Sequence, residues 1–237
     1  MTATGYVSAS GDTRKVNKSG DTMTGELVLP DASPDTSLTA APRQYVDTAV
    51  ILAVPEQPGD QNLLAWTYDP NQAGHVTAQS NAGVAGRVTL SRIILRKQVT
   101  WSNVWLGLSG IDAAAVLANC YLGVYDNTGT LKGVTADISS SLMTNAIAKP
   151  FALSTPFTAA AGTYYIAMLL NGTWTTNSLT FKCSGAGISV NAGLSAPNLR
   201  YSNMLTGQTS LPSTLALSGQ TTTIISTGWA SQWYGVS

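Results

Sequence analysis

Cys120-Tyr121-Leu122-Gly123-Val124-Tyr125-Asp126-Asn127-Thr128-Gly129-Thr130-Leu131 reads as a β-hairpin. Cys120, Leu122 and Val124 recur at period two, the spacing that puts side chains on one face of a strand. The Asp126 to Gly129 stretch carries turn chemistry, and Leu131 opens a returning strand. The same rhythm of short alternating runs, separated by Gly, Asn, Asp, Ser and Pro, extends from residue 63 to the C-terminus. It predicts strands at Gly86 to Arg96, Val99 to Leu108, Leu117 to Tyr125, Pro150 to Phe157, Thr163 to Leu170 and Ser178 to Cys183. Further strands are predicted at Thr214 to Leu217, Thr222 to Ile225 and Gln232 to Val236. Beyond residue 63 nothing long reads as helix, apart from a turn at Ile111 to Val116.

Strands at uneven intervals, without a blade-like repeat, suit a two-sheet jelly roll better than a propeller or an up-and-down barrel, with a Greek-key sandwich as the alternative. The expected fold is therefore mainly β, with a jelly-roll β-sandwich head at 63–237. Residues 55–62, Pro55-Glu-Gln-Pro-Gly-Asp-Gln-Asn62, have the composition of a linker. Ala161-Gly162-Thr163-Tyr164-Tyr165-Ile166-Ala167-Met168-Leu169-Leu170 resembles the core strand of carbohydrate-binding-module jelly rolls, in which a Gly-Thr-Tyr-Tyr start precedes an apolar strand.

Only 10% of the 237 residues are charged, against an average near 25%. With 44% hydrophobic residues and zero net charge the chain is not of the disordered class. Residues 1–56 hold four Lys/Arg and seven Asp/Glu, which leaves eight basic and five acidic groups, a surplus of three, in the remaining 181 positions. Nucleic-acid binding needs a clustered basic face, and Arg87, Arg92, Arg96 and Lys97 read instead as a solvated strand face without repeating aromatic partners. No run approaches 18 apolar residues, so no membrane insertion is expected, and Met1-Thr-Ala-Thr-Gly5 lacks the features of a signal peptide. Synthesis in a cytoplasm follows, where Cys120 and Cys183 are expected as reduced thiols.

The N-terminal region follows a different pattern. Ser19-Gly20-Asp21 supplies a chain reversal, and Glu26-Leu27-Val28-Leu29 a short strand stopped by Pro30. Thr39 is placed to cap a helix that Pro55 ends. Leu38, Ala41, Tyr45, Thr48 and Leu52 are spaced three, four, three and four apart, a heptad seam of about two repeats. That seam and the Leu27 and Leu29 face need partners that one short strand and one helix cannot supply.

Lys18-Ser-Gly-Asp-Thr-Met-Thr-Gly-Glu-Leu-Val-Leu29, followed by Tyr45-Val46-Asp47, resembles the repeat of tail-fibre proteins of tailed bacteriophages. In that family a Gly-Asp-Thr-Met-Thr-Gly segment leads through a short apolar run and a Pro/Asp-rich turn to a helix ending near Tyr-Val-Asp. The resemblance covers residues 16–54. It implies a virion component, located in the tail tip or fibre and released by host lysis, and a homotrimer in which Leu27, Leu29, Leu38, Ala41, Tyr45, Thr48 and Leu52 meet their copies. Residues 1–17 would then be an attachment tail for other phage tail or baseplate proteins, and 18–54 the trimeric fibre motif.

Enzymatic chemistry has little to work with. From residue 57 on the acids are Asp60, Asp69, Asp112, Asp126 and Asp137, mostly in turn contexts, and His75 is the chain's single histidine. No carboxylate pair suggests a glycosidase, and no Gly-x-Ser-x-Gly elbow accompanies His75. His75 and two Cys are too few for zinc. No cofactor is expected; a structural calcium on loop carbonyls with Asp60, Asp69 or Asn71 competes with the ordinary turn role of those residues.

Aromatic side chains remain for recognition, since they stack on sugar rings and suit uncharged polar ligands. Trp174, in the polar stretch Asn171-Gly-Thr-Trp-Thr-Thr-Asn177, is the first expected ligand contact. Tyr201, flanked by Asn198, Arg200 and Asn203, is the second. Trp101 and Trp105 share a predicted strand face opposite Val104, Leu106 and Leu108, which is the better core face. The expected function is host-surface adhesion through a glycan or surface protein. A structural adaptor or decoration role on the virion is the alternative, and a polysaccharide depolymerase is a third reading that the missing carboxylate pair disfavours.

Overall fold

The computed structural model describes residues 56–73, 75–78, 86–110, 114–143, 147–174, 179–184, 187–223 and 230–237, which lie within one compact unit, Glu56–Ser237. The predicted strand at 26–29, the helix at 39–54 and the interface residues Leu27, Leu29, Leu38, Ala41, Tyr45, Thr48 and Leu52 lie outside the described residues.

The unit is mainly β. In chain order its strands are β1 (Ala65–Trp66), β2 (His75–Ala78), β3 (Arg87–Leu95), β4 (Val99–Gly110), β5 (Val116–Leu117), β6 (Tyr121–Asp126) and β7 (Leu131–Val134). They continue with β8 (Ala148–Ala159), β9 (Gly162–Leu170), β10 (Gly172–Thr173), β11 (Thr180–Cys183), β12 (Tyr201–Asn203) and β13 (Tyr234–Val236). Ser139–Leu142 forms a single α-helical turn, and among the described residues no helix is long and apolar enough to cross a membrane. One antiparallel sheet runs β1-β13-β4-β11-β2, with β8 on the other side of β4; a second runs β12-β3-β9-β6-β7; β5 and β10 form a separate ribbon.

Successive long strands change sheet: β3 and β4 lie in different sheets, and so do β8 and β9. The main core cluster therefore draws on both, with Trp101, Val104, Leu106 and Phe151 from one sheet and Ile93, Leu122, Ile166 and Met168 from the other. The second sheet is also covered on its outer face. Val88, Leu90, Tyr125, Tyr165, Ala167 and Leu169 form a second cluster with Leu211, Leu215 and Leu217. Burial on both faces explains why Tyr165 to Leu170 is a continuous apolar run rather than an alternating one.

The covering segment corrects the strand expected at Thr214 to Leu217. Thr214 makes only an isolated bridge to Thr130, and Leu217–Gly219 is a 3-10 turn. The alternation there reflects two leucines anchoring an irregular strap. The strand expected at Leu117 to Tyr125 is interrupted, because Asn119 adopts a left-handed conformation (φ 60°) between β5 and β6. Strands β1, β2 and β12, of two to four residues, carry no pattern long enough to read in sequence.

The hairpin forms as read. Asp126 Oδ1 accepts from Thr128 N (2.9 Å), Thr128 Oγ1 (2.6 Å) and Thr130 N (3.0 Å). Burial alone would raise the Asp126 pKa, but these hydrogen bonds outweigh it and hold the carboxyl below its usual range. Gly129 has φ +84°, and a Cβ there would meet Leu215 O at 2.0 Å. Gly129→Ala combines a left-handed backbone with a clash against the strap, so urea unfolding should show a loss of more than ~2 kcal/mol.

Candidate functional site

The chain path places a cleft beside the start of the unit. Pro58–Gln61 is a 3-10 turn whose Asp60 side chain accepts from Gln57 N (2.7 Å), and Leu63 N donates to Pro58 O (2.9 Å). The chain then enters β1, where Ala65 pairs with Val236 and Trp66 with Gly235 of the C-terminal strand. Alternation buries Ala65 and leaves Trp66 half-buried toward the outside. Thr67 ties into Tyr234 by backbone and side chain, and Tyr68 Oη donates to Ser231 O (2.8 Å). Burial pushes the Tyr68 phenol far above its usual pKa, so it stays a donor at all ordinary pH values.

The opposite wall comes from β3, the turn after it and the segment before β12. Arg92 N donates to Arg200 O (2.9 Å), and Arg92 Nη1 donates to Asn198 O (2.9 Å). The Asn191 side chain fixes the backbone at Arg200 from the other direction. Its Oδ1 accepts from Arg200 N (2.7 Å) and Tyr201 N (3.0 Å), and its Nδ2 donates to Tyr201 O (2.6 Å). Two arginines 108 positions apart in sequence are thus joined through their main chains.

Together these elements line a cavity of about 760 Å³, within the size range of ligand sites. Buried Leu63, Ala65, Leu95 and Val99 supply an apolar floor, and Trp66 and Tyr68 an aromatic wall. Arg92, Arg96, Lys97 and Arg200 supply the cationic side. Leu64 and Ile94, which also line the cavity, are 41% and 43% accessible and add apolar surface to it.

The structure places the residues singled out from sequence in two groups. Arg200 lines the cleft, and Asn198 bonds Arg92 beside it; both are exposed. The others are not at this site. Trp174 was expected at the surface but is only 5% exposed and belongs to the main core cluster. The β5–β10 ribbon carries it there: Gly172, at φ +120° with Val116 O 2.2 Å from where a Cβ would stand, allows the ribbon to close over the core. Tyr201 is fully buried, its hydroxyl accepting from Gln232 Nε2 (3.2 Å). Asn203 is buried and pairs by backbone with Thr221, while its Oδ1 accepts from Thr223 Oγ1 (3.1 Å).

Trp101 and Trp105 do not share a face. The β4–β8 register shifts between Trp101 and Asn103, so the buried positions change phase from Val99 and Trp101 to Val104, Leu106 and Leu108. Trp101 is therefore fully buried, stacked on Phe157 (5.9 Å, 19°) and edge-on to Tyr164 (6.0 Å, 68°). Trp105 stays half-buried and donates from Nε1 to Ser237 Oγ (2.9 Å). The reading of Val104, Leu106 and Leu108 as core holds.

Asp69 Oδ1 accepts from Asn71 N (2.8 Å), and Asn71 Nδ2 donates to Glu56 Oε2 (2.9 Å). Among the described residues no group of three or more His, Cys, Asp or Glu side chains is placed to hold a metal. Cys120 and Cys183 are both buried and are not joined in a disulfide, and burial raises the Cys120 thiol pKa.

Sequence reasoning missed Trp66 and Tyr68, and took Arg92, Arg96 and Lys97 for a solvated face. The usable signal was the aromatic pair in Trp66-Thr67-Tyr68, but its basic partners lie about 30 and 130 residues downstream. No protein-family model matches the chain, and no curated protein matches it either.

Proposed function

We propose that this chain is a trimeric tail-fibre or receptor-binding component of a bacteriophage virion, and that residues 56–237 are its jelly-roll head. The Gly-Asp-Thr-Met-Thr-Gly and Tyr-Val-Asp motifs support the virion assignment. Two antiparallel sheets sharing a core, with successive long strands crossing between them, support the sandwich. The observation that carries an adhesive role is the cleft: a half-buried Trp66 beside Tyr68, over an apolar floor, with exposed polar and charged groups opposite.

Such a wall suits the apolar face of a sugar ring, and the opposing groups suit its hydroxyls and substituents. Three heads on one fibre would multiply weak single-site contacts through effective concentration. The head works by adhesion, with no bond made or broken in the ligand.

The test is binding of the full chain to a panel of bacterial cells and to an array of bacterial surface glycans. Trp66→Ala should lower binding at least about tenfold while leaving the melting temperature within ~3 °C, because a half-buried wall residue contributes more to the ligand than to the core. Unchanged binding by a folded Trp66→Ala variant would remove the cleft from adhesion. A wild-type chain that binds no cell and no glycan, yet binds a purified tail or baseplate protein, would favour the adaptor role.

A further inference from the structure

The distribution of charge around the cleft identifies what the ligand must carry. Between residues 56 and 237 there are eight Lys/Arg and six Asp/Glu. Four of those eight cations line this one cleft, and none of the five described acids, Glu56, Asp60, Asp69, Asp126 and Asp137, does. A surface so poor in charge would disperse a random eight; concentrating half of them without a counter-charge costs repulsion that an anionic ligand relieves.

The described acids are committed elsewhere. Glu56 accepts from Gln61 and Asn71, Asp60 from Gln57 N and Asp69 from Asn71 N. Asp126 holds the β6–β7 turn, and Asp137 accepts from Asn119 N, Cys120 N and Ser139. Meanwhile Arg92 is aimed by Asn198 O, and the backbone of Arg200 is held by Asn191. Two guanidinium groups are brought to one wall by fixed main-chain hydrogen bonds, an arrangement that favours planar, bidentate oxyanions over water.

We infer that the cleft takes an anionic saccharide, a sugar unit carrying a carboxylate or phosphate, with Arg92, Arg96, Lys97 and Arg200 facing the anion and Trp66 facing the ring. The inference rests on the adhesive reading and makes it specific: aromatic side chains alone suit an uncharged polar ligand, and the four cations add an anionic group to it. The apolar floor and aromatic wall distinguish the site from a simple polyanion patch: a bare charge needs no stacking surface, and a neutral sugar needs no four cations.

The experiment is calorimetric titration of the full chain with four probes of equal length: a neutral oligosaccharide, a uronic-acid oligosaccharide, a phosphodiester-linked oligosaccharide and a single-stranded oligonucleotide. At least one of the two anionic saccharides should bind about tenfold or more tighter than the neutral one at ~50 mM salt, and its affinity should fall several-fold by ~300 mM. Which of the two is preferred separates a carboxylate-bearing from a phosphate-bearing source. Arg96→Gln combined with Arg200→Gln should abolish the preference, whereas Lys132→Gln, an exposed cation away from the cleft, should leave it intact.

Equal affinity for neutral and anionic saccharides, or an anionic preference that survives the double substitution in folded protein, would overturn the inference while leaving adhesion standing. An oligonucleotide bound as tightly as the saccharides would overturn it in favour of non-specific polyanion binding. A double variant that loses oligomeric mass in place of ligand affinity would reassign the cleft to a contact between chains. Absence of binding to every saccharide and every cell type would instead remove the adhesive reading itself.

Discussion

Trp101→Ala should lower the unfolding free energy by about 4–5 kcal/mol and the melting temperature by roughly 10 °C or more, measured by thermal and urea unfolding of the full chain. The indole is fully buried between the two sheets and contacts both Phe157 and Tyr164, so truncation removes two ring contacts as well as the transfer free energy. Surrounding strands are held by long ladders, β4 to β8 and β3 to β9, which restricts collapse into the void. The indole N–H finds no acceptor among the described residues. Trp101→Phe should therefore cost far less than the alanine variant, since it keeps a ring and removes an unsatisfied donor. A loss below ~1 kcal/mol for Trp101→Ala would show that this part of β4 is not packed as described.

Trp174→Ala should cost about 3–4 kcal/mol in the same assay and leave saccharide affinity per folded molecule unchanged. Its side chain belongs to the main core cluster, directly after β10, and does not line the cleft. The opposite pattern, weakened adhesion with unaltered stability, is what an exposed loop tryptophan would give. The pair of measurements on Trp174 and Trp66 thus assigns the two indoles to core and to ligand by experiment.

Much of the fold was legible in the sequence because period-two alternation records burial on one face directly. The strands β3, β4, β8 and β9 are long enough to be read within a residue or two of their observed ends, and the turn chemistry between β6 and β7 is specific enough to place that hairpin's turn. The phase change inside β4 was not legible, because a register shift depends on how β8 pairs with it, and that moved Trp101 from the expected outer face into the core. The segment Thr214 to Leu217 was misread for a related reason: Leu215 and Leu217 alternate, but against the outer face of a sheet rather than within a ladder.

For the candidate site the division is sharper. The sequence by itself determined that the unit is poor in charge and that most of its acids sit in turn contexts, and it directed the search for a site to aromatic side chains. It also placed Arg200 and Asn198 among the residues of interest. Only the tertiary structure decided which aromatics are available, because exposure of a tryptophan depends on what packs around it: polar neighbours in sequence surround Trp174, yet its side chain is buried in the main core cluster. Equally, only pairing of β1 with β13 and of β3 with β12 brings Trp66 and Tyr68 to the basic wall of Arg92, Arg96, Lys97 and Arg200. Local pattern records which face a residue prefers; which distant faces meet is set by strand pairing, and the cleft is a product of the second.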